Sequence, residues 1–186
     1  RKLSLMHPFI QLRWVDFYEK HDYYMLSLCN NSPFSIRHIA NRAQCVFKAE
    51  ETNLEELQEC EKRVEILDDE IEKYYRSYFS YKHDMMYKFF NSGDYLRLEQ
   101  KYTHLLKMDI ASCFYHIYTH TITWAVKGKE QAKELIGKET FENEFDKLMQ
   151  YSNYNETHGI IVGPEISRIF EEIIFERIDV NVLTRL

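Results

Sequence analysis

Leu57, Cys60, Val64, Leu67, Ile71, Tyr74 and Tyr78 recur at alternating spacings of three and four. An apolar stripe of that period closes along one side of an α-helix, so the sequence calls for a long helix over residues 53–79. Thr52 or Asn53 is placed to cap it. Glu55, Glu56, Glu59, Glu61, Glu65, Asp68, Asp69 and Glu70 cover its other faces. The stripe has two candidate occupants, another part of this chain or a second chain, so a homo-oligomer or a partner protein is an open expectation. Five glycines and three prolines in 186 residues leave few interruptions elsewhere. That scarcity favours long helices over a sandwich of short strands. The expected fold class is therefore α+β, predominantly helical.

His7-Pro8 opens a helical stretch, with proline suited to the first turn, and a second helical piece is expected over Tyr23–Leu28. Asn30-Asn31-Ser32-Pro33 is a breaker. Phe34–His38 and Gln44–Phe47 read as the two strands of a hairpin near 34–47, with polar Asn41-Arg42 between them. Met85, Met86, Phe89 and Phe90 read as the core face of a helix that ends at the turn Asn91-Ser92-Gly93-Asp94. His104–Ile110 reads as a buried strand carrying an acid near its end, followed by a helix through Phe114–Trp124. Further helices are expected over Glu130–Ile136, Phe141–Gln150 and Glu165–Ile178, the last with Ile166, Ile169, Phe170, Ile173, Ile174 and Phe175 inward. Two regions result, 1–104 and 105–186.

The net charge is −6 and the isoelectric point is near 5.8. A nucleic-acid partner usually leaves a basic mark. Here Lys82, Lys88, Arg97, Lys101 and Lys107 make only the segment before Asp109 basic, either to track a phosphate backbone or as a solvated face. Cys29, Cys45, Cys60 and Cys113 lack short pairing, which reads as reduced thiols in a cytoplasmic protein. No run approaches the roughly 18 apolar residues of a membrane span, so no membrane is expected as a partner. The chain begins at Arg1, and we expect a piece of something longer.

Met108-Asp109-Ile110 and Gly159–Ser167 are the segments with chemical promise. An acid at a strand end sits at a rim where metals and phosphates bind, and Mg²⁺ favours one or two carboxylates plus substrate phosphates. Phe114, five residues on, either turns back beneath an incoming sugar or is an ordinary core aromatic. Gly159 lets backbone approach a ligand, and Gly163-Pro164 bends the chain into a helix. Each also suits a plain strand end or loop.

Together, Asp109–Tyr115 resembles the first palm motif of reverse transcriptases, an Asp followed five residues later by an aromatic. His158-Gly159-Ile160-Ile161-Val162-Gly163-Pro164-Glu165-Ile166-Ser167 resembles the second. Phe114–His120 with Trp124-Ala125, and Gly163–Ser167 continuing through Glu171-Glu172-Ile173 to Arg177-Ile178-Asp179, are similar to the abortive-infection and other defence-associated members. Phe34-Ser35-Ile36-Arg37 resembles their fingers hairpin. The resemblance implies fingers plus a partial palm of a right-hand polymerase. It implies metal-dependent deoxynucleotidyl transfer in antiviral defence, with deoxynucleoside triphosphates and DNA or RNA as partners. By position, Asp109 would be the catalytic Mg²⁺ ligand with the Ile110 carbonyl beside it, and Phe114, next to Tyr115, the sugar gate. Arg37 would reach the triphosphate, Gly159 would lie against the nascent base pair or template, and His158, Gly163 and Pro164 would also be substrate-binding. His158 departs from the amide usual there. The paired acids of the third palm motif, needed to complete a two-ion site, do not occur before Leu186, so the expectation is a fragment inactive alone.

Three other readings compete. Cys113, His116 and His120 have metal-like spacing without an evident fourth ligand for zinc. His21-Asp22 and His83-Asp84 are the dipeptides with which some helical phosphohydrolases hold metals. A non-catalytic helical interaction subunit would use the heptad stripe as its docking face.

Overall fold

A proline at the first helical position needs no hydrogen-bond partner for its missing N–H, and the chain uses this at its first helix. The computed structural model describes residues 3–36, 38–42, 77–83, 85–134 and 137–185. Helix α1 runs Pro8–Leu28, and its cap His7 accepts the Phe9 N–H on Nδ1 at 3.2 Å. The two helical pieces expected here are one, because Glu19–Asp22 contains no breaker and Asp22 is buried by its partners. The chain then turns through Asn30, whose Nδ2 donates to the Leu26 carbonyl at 2.7 Å and to the Ile39 carbonyl at 3.0 Å.

The strand pairing differs from the expected hairpin. Strand β1 is Ile39–Arg42, and it pairs antiparallel with β2, Phe79–Tyr81, with an irregularity between Ile39 and Asn41. Asn41 and Arg42, read as a turn, lie in the strand opposite Ser80 and Phe79. Gln44–Phe47 and the heptad segment up to residue 76 lie outside the described residues. Tyr78 and Phe79, at the end of that expected helix, are a bend and a strand. Buried Asp22 explains why: it accepts from the Tyr78 hydroxyl at 3.0 Å and pairs with Arg42 at 3.2 Å, tying both strands to α1. Tyr81 donates to Glu165 at 2.6 Å, and the Arg168 guanidinium lies 3.7 Å from the centre of its ring.

Seven helices follow among the described residues, the first six being α2 Met86–Phe90, α3 Gly93–Lys101, α4 Cys113–His116, α5 Thr121–Lys127, α6 Lys129–Glu134 and α7 Phe141–Ser152. The last is α8, Glu165–Leu183. The described residues therefore make a predominantly helical α+β fold with one small antiparallel sheet. The core lies among α1, α5, α7 and α8. Trp14, Phe17, Phe141, Phe145 and Phe170 form a chain of ring contacts, with centroids 4.9–5.6 Å apart from Trp14–Phe145 through Phe145–Phe170. Ile166, Ile169, Phe170 and Ile173 are buried on α8 as the periodicity required, and Glu176 is buried with them. The helix expected over Met85–Phe90 forms, but Met85 and Met86 are exposed and no residue of α2 is buried. No helix among the described residues is long and apolar enough to cross a membrane.

Candidate functional site

The segment expected to be a buried strand carries no strand. Residues 102–110 run irregularly and exposed, with Leu106 78% and Met108 85% accessible. Asp109 is accordingly exposed, beside an Ile110 that is 60% accessible. Among the described residues no strand pairs with this segment. The turn that follows is sharp. Ser112 takes a left-handed conformation at φ 54°, a cost of about 1 kcal/mol for a residue with a Cβ. It starts the short α4.

The single helix expected through Phe114–Trp124 is broken at Ile117–His120. Backbone there pairs with the second motif instead. The Gly159 N–H donates to the Ile117 carbonyl at 2.8 Å, the Ile160 N–H to the Phe114 carbonyl at 2.7 Å, and the Thr119 N–H to the Thr157 carbonyl at 2.9 Å. Tyr118 and His158 form an isolated antiparallel bridge. Gly159 is required at this contact. Its φ is 83°, and a Cβ would stand 3.2 Å from the Tyr115 carbonyl oxygen. Asn153 holds the other side, donating to the Gly159 carbonyl at 3.1 Å. Two distant segments thus meet main chain to main chain.

The side chains distribute unevenly around this junction. Phe114 is half-buried against the core, whereas Tyr115 is exposed and is the ring free to meet a ligand. His158 turns its ring toward His116, with centroids 6.0 Å apart. Gly163 lies by the N-terminal segment, where an added Cβ would stand 3.6 Å from the Leu3 side chain, and the Ser4 N–H donates to the Val162 carbonyl at 2.8 Å. Pro164 is the residue before α8 and makes the bend the sequence suggested. Arg37 lies outside the described residues.

Cys113 connects Asp109 to α8. Its thiol donates to Glu171 at 3.2 Å. Burial, then the hydrogen bond and charge of Glu171, then the charge of Asp109 push this thiol up to about 12. It stays protonated at neutral pH and is a poor metal ligand, because zinc takes the thiolate. His120 pairs through Nδ1 with buried Asp146, whose other oxygen accepts from Gln150 at 2.8 Å. The zinc spacing is therefore spent on three separate partners. The phosphohydrolase pair fares likewise: Asp22 serves Arg42 and Tyr78, and His21 bonds Glu144 at 3.1 Å. Asp84 lies outside the described residues.

Among the described residues no three His, Cys, Asp or Glu side chains converge to hold a metal. Asp109 is one exposed carboxylate on an irregular segment, and one carboxylate does not by itself make a two-ion site. The Cys113–Glu171 contact, the left-handed Ser112 and the His120–Asp146 pair were not read from the sequence. Glu171-Glu172, set between Ile169-Phe170 and Ile173-Ile174, was the available signal for the first of these. No family model matches the chain, and no curated protein matches it.

Proposed function

We propose that this chain is part of a reverse-transcriptase-like DNA polymerase of antiviral defence, comprising fingers and the first part of the palm. The observation that carries the reading is the main-chain junction of Phe114–Ile117 with Gly159–Ile160. A right-hand polymerase needs its first and second palm motifs side by side, and the segments that resemble them are hydrogen-bonded to each other.

In this reading Asp109 and the Ile110 carbonyl hold magnesium arriving with the deoxynucleoside triphosphate, and Arg37 meets the triphosphate as a planar donor. When bound, magnesium neutralises charge on the phosphates during transfer. A 3′-hydroxyl, or a protein hydroxyl, attacks the α-phosphate in line and pyrophosphate leaves. Phe114 and Tyr115 lie beneath the sugar, and the turn from His158 through Gly159 to Gly163-Pro164 borders the base pair on DNA or RNA. A two-ion site would require acids in addition to Asp109.

The test is metal-dependent incorporation of labelled deoxynucleotide by the whole protein. Asp109→Ala should lower it about a hundredfold or more while the circular dichroism spectrum is unchanged. Incorporation unaffected by Asp109→Ala overturns the reading. A second reading, a non-catalytic helical interaction subunit, draws support from exposed Leu105, Leu106, Met108 and Ile110. It requires that Asp109→Ala be harmless while charges at Val64 and Leu67 abolish function.

A further inference from the structure

The backbone pairing at the motif junction also gathers rings at the surface. The antiparallel bridge sets Tyr118 opposite His158, and residues opposed across such a bridge put their side chains on one side. The His158 ring lies 6.0 Å from that of His116. The Tyr118 ring lies 4.8 Å from that of His120 and 6.1 Å from that of Trp124. Five rings therefore adjoin, and none of the five residues is buried. Thr119, between Tyr118 and His120, turns inward instead and is fully buried, accepting from Gln150 at 3.3 Å. Buried Asp146 anchors His120 through Nδ1.

The make-up of this surface narrows what can cover it. Among the described residues from 111 to 177, every large hydrophobic left exposed is aromatic: Tyr115, Tyr118, Trp124, Tyr151 and Tyr154. The segment before it differs, exposing Leu105, Leu106, Met108 and Ile110. A protein partner is served equally by aliphatic side chains, whereas a nucleobase is held by ring faces with cations near its phosphates. Those cations are present. The Lys129 ammonium stands 5.6 Å from the centre of the Trp124 ring, and Lys127 lies three residues from Trp124 on α5. Both lysines are exposed, with Glu130 the acid beside them. Only unpaired bases offer free faces to a protein ring, which selects a single strand over a duplex.

We infer that this strip is a stacking surface for single-stranded nucleic acid, with bases resting on Trp124, Tyr118 and the imidazoles and phosphates met by Lys127 and Lys129. The inference rests on the polymerase reading in one respect, that the chain meets a strand, and it adds where the strand lies.

Fluorescence anisotropy of labelled strands of about twelve nucleotides, titrated with the full chain in EDTA, tests it. Strand binding without metal or triphosphate is read apart from incorporation and its loss in Asp109→Ala, so the two readings can fail separately. Oligothymidine and oligouridine should both bind, since a ring stacks on a base whichever sugar carries it, and the tighter of the two names the strand. Trp124→Ala and Tyr118→Ala should each weaken binding about tenfold, with Trp124→Phe retaining most of it. Lys129→Ala should flatten the dependence on salt. Should the alanine variants fail to fold, an abasic strand with the same number of phosphates supplies the test on the wild type, which should bind it about tenfold more weakly or worse. Binding of neither strand, equal binding of the abasic strand or of a duplex, or affinity unchanged by both Trp124→Ala and Tyr118→Ala overturns the assignment.

Discussion

Gly159 shows how one missing Cβ sets the geometry around it. At φ 83° its N–H and carbonyl bond different partners, Ile117 and Asn153, and a Cβ there would stand 3.2 Å from the Tyr115 carbonyl oxygen. Gly159→Ala should therefore destabilise the fold by about 1–2 kcal/mol, from left-handed strain plus the 3.2 Å contact. Urea unfolding measures it. A change near zero would mean that the junction yields easily. The need for glycine was readable from the sequence, since a Gly between polar and apolar runs invites close backbone approach. Its neighbour was not: nothing in the string Thr157-His158-Gly159 names Ile117 as its partner. Phe114 illustrates the converse. The sequence left it between sugar gate and core aromatic, and the half-buried ring packs against the core. Ser112 had no signal, because a left-handed serine is dictated by the turn it closes.

Elements were legible where periodicity was long. Helices α7 and α8 follow from their apolar spacing, α1 was read as two pieces, and α8 buries four of the six residues named for it, with Ile174 and Phe175 half-buried. Short runs misled. His104–Ile110 has strand composition, but a strand needs a neighbour to satisfy its main chain, and composition cannot supply one. The Asn41-Arg42 turn was lost because Asp22, distant in sequence, draws Arg42 into β1. The same kind of long-range carboxylate clamps α8 to the loop after α1: Glu176 accepts from Ser32, and Glu172 from Ser35. Burial holds the Glu176 carboxyl above the ordinary value of 4.5, helped by Glu172 and Asp179 and opposed by the Ser32 and Asn31 N–H groups. The folded chain then binds this proton more tightly than the unfolded chain does. Its contribution is full below the ordinary value and is lost as pH rises through the folded value. Unfolding midpoints of wild type and Glu176→Gln should diverge as pH rises above the ordinary value of 4.5, with the wild type losing stability relative to the variant. Relative gain by the wild type over that range would show the opposite sign. Glu144 is the contrast: burial pushes it up, but Lys20 and His21 outweigh burial and hold it below the ordinary range.

At the scale of the molecule, the sequence conveyed the class of fold better than the place of the chemistry. A scarcity of glycine and proline demanded helices, and helices with one small sheet are what form. The candidate site was legible as two motifs but not as a shape, because Asp109 emerges on an exposed irregular segment instead of a buried strand end. What joins the motifs is the backbone pairing behind Tyr115, and that pairing is long-range. Nucleotide binding near this junction is the central claim, and the isolated chain can test it by nuclear magnetic resonance. With Mn²⁺ and dATP added together, amide signals of residues 109–115 and 159–163 should broaden first, and Asp109→Ala should remove the effect. Broadening confined to other parts of the chain, or undiminished by Asp109→Ala, would contradict the proposal.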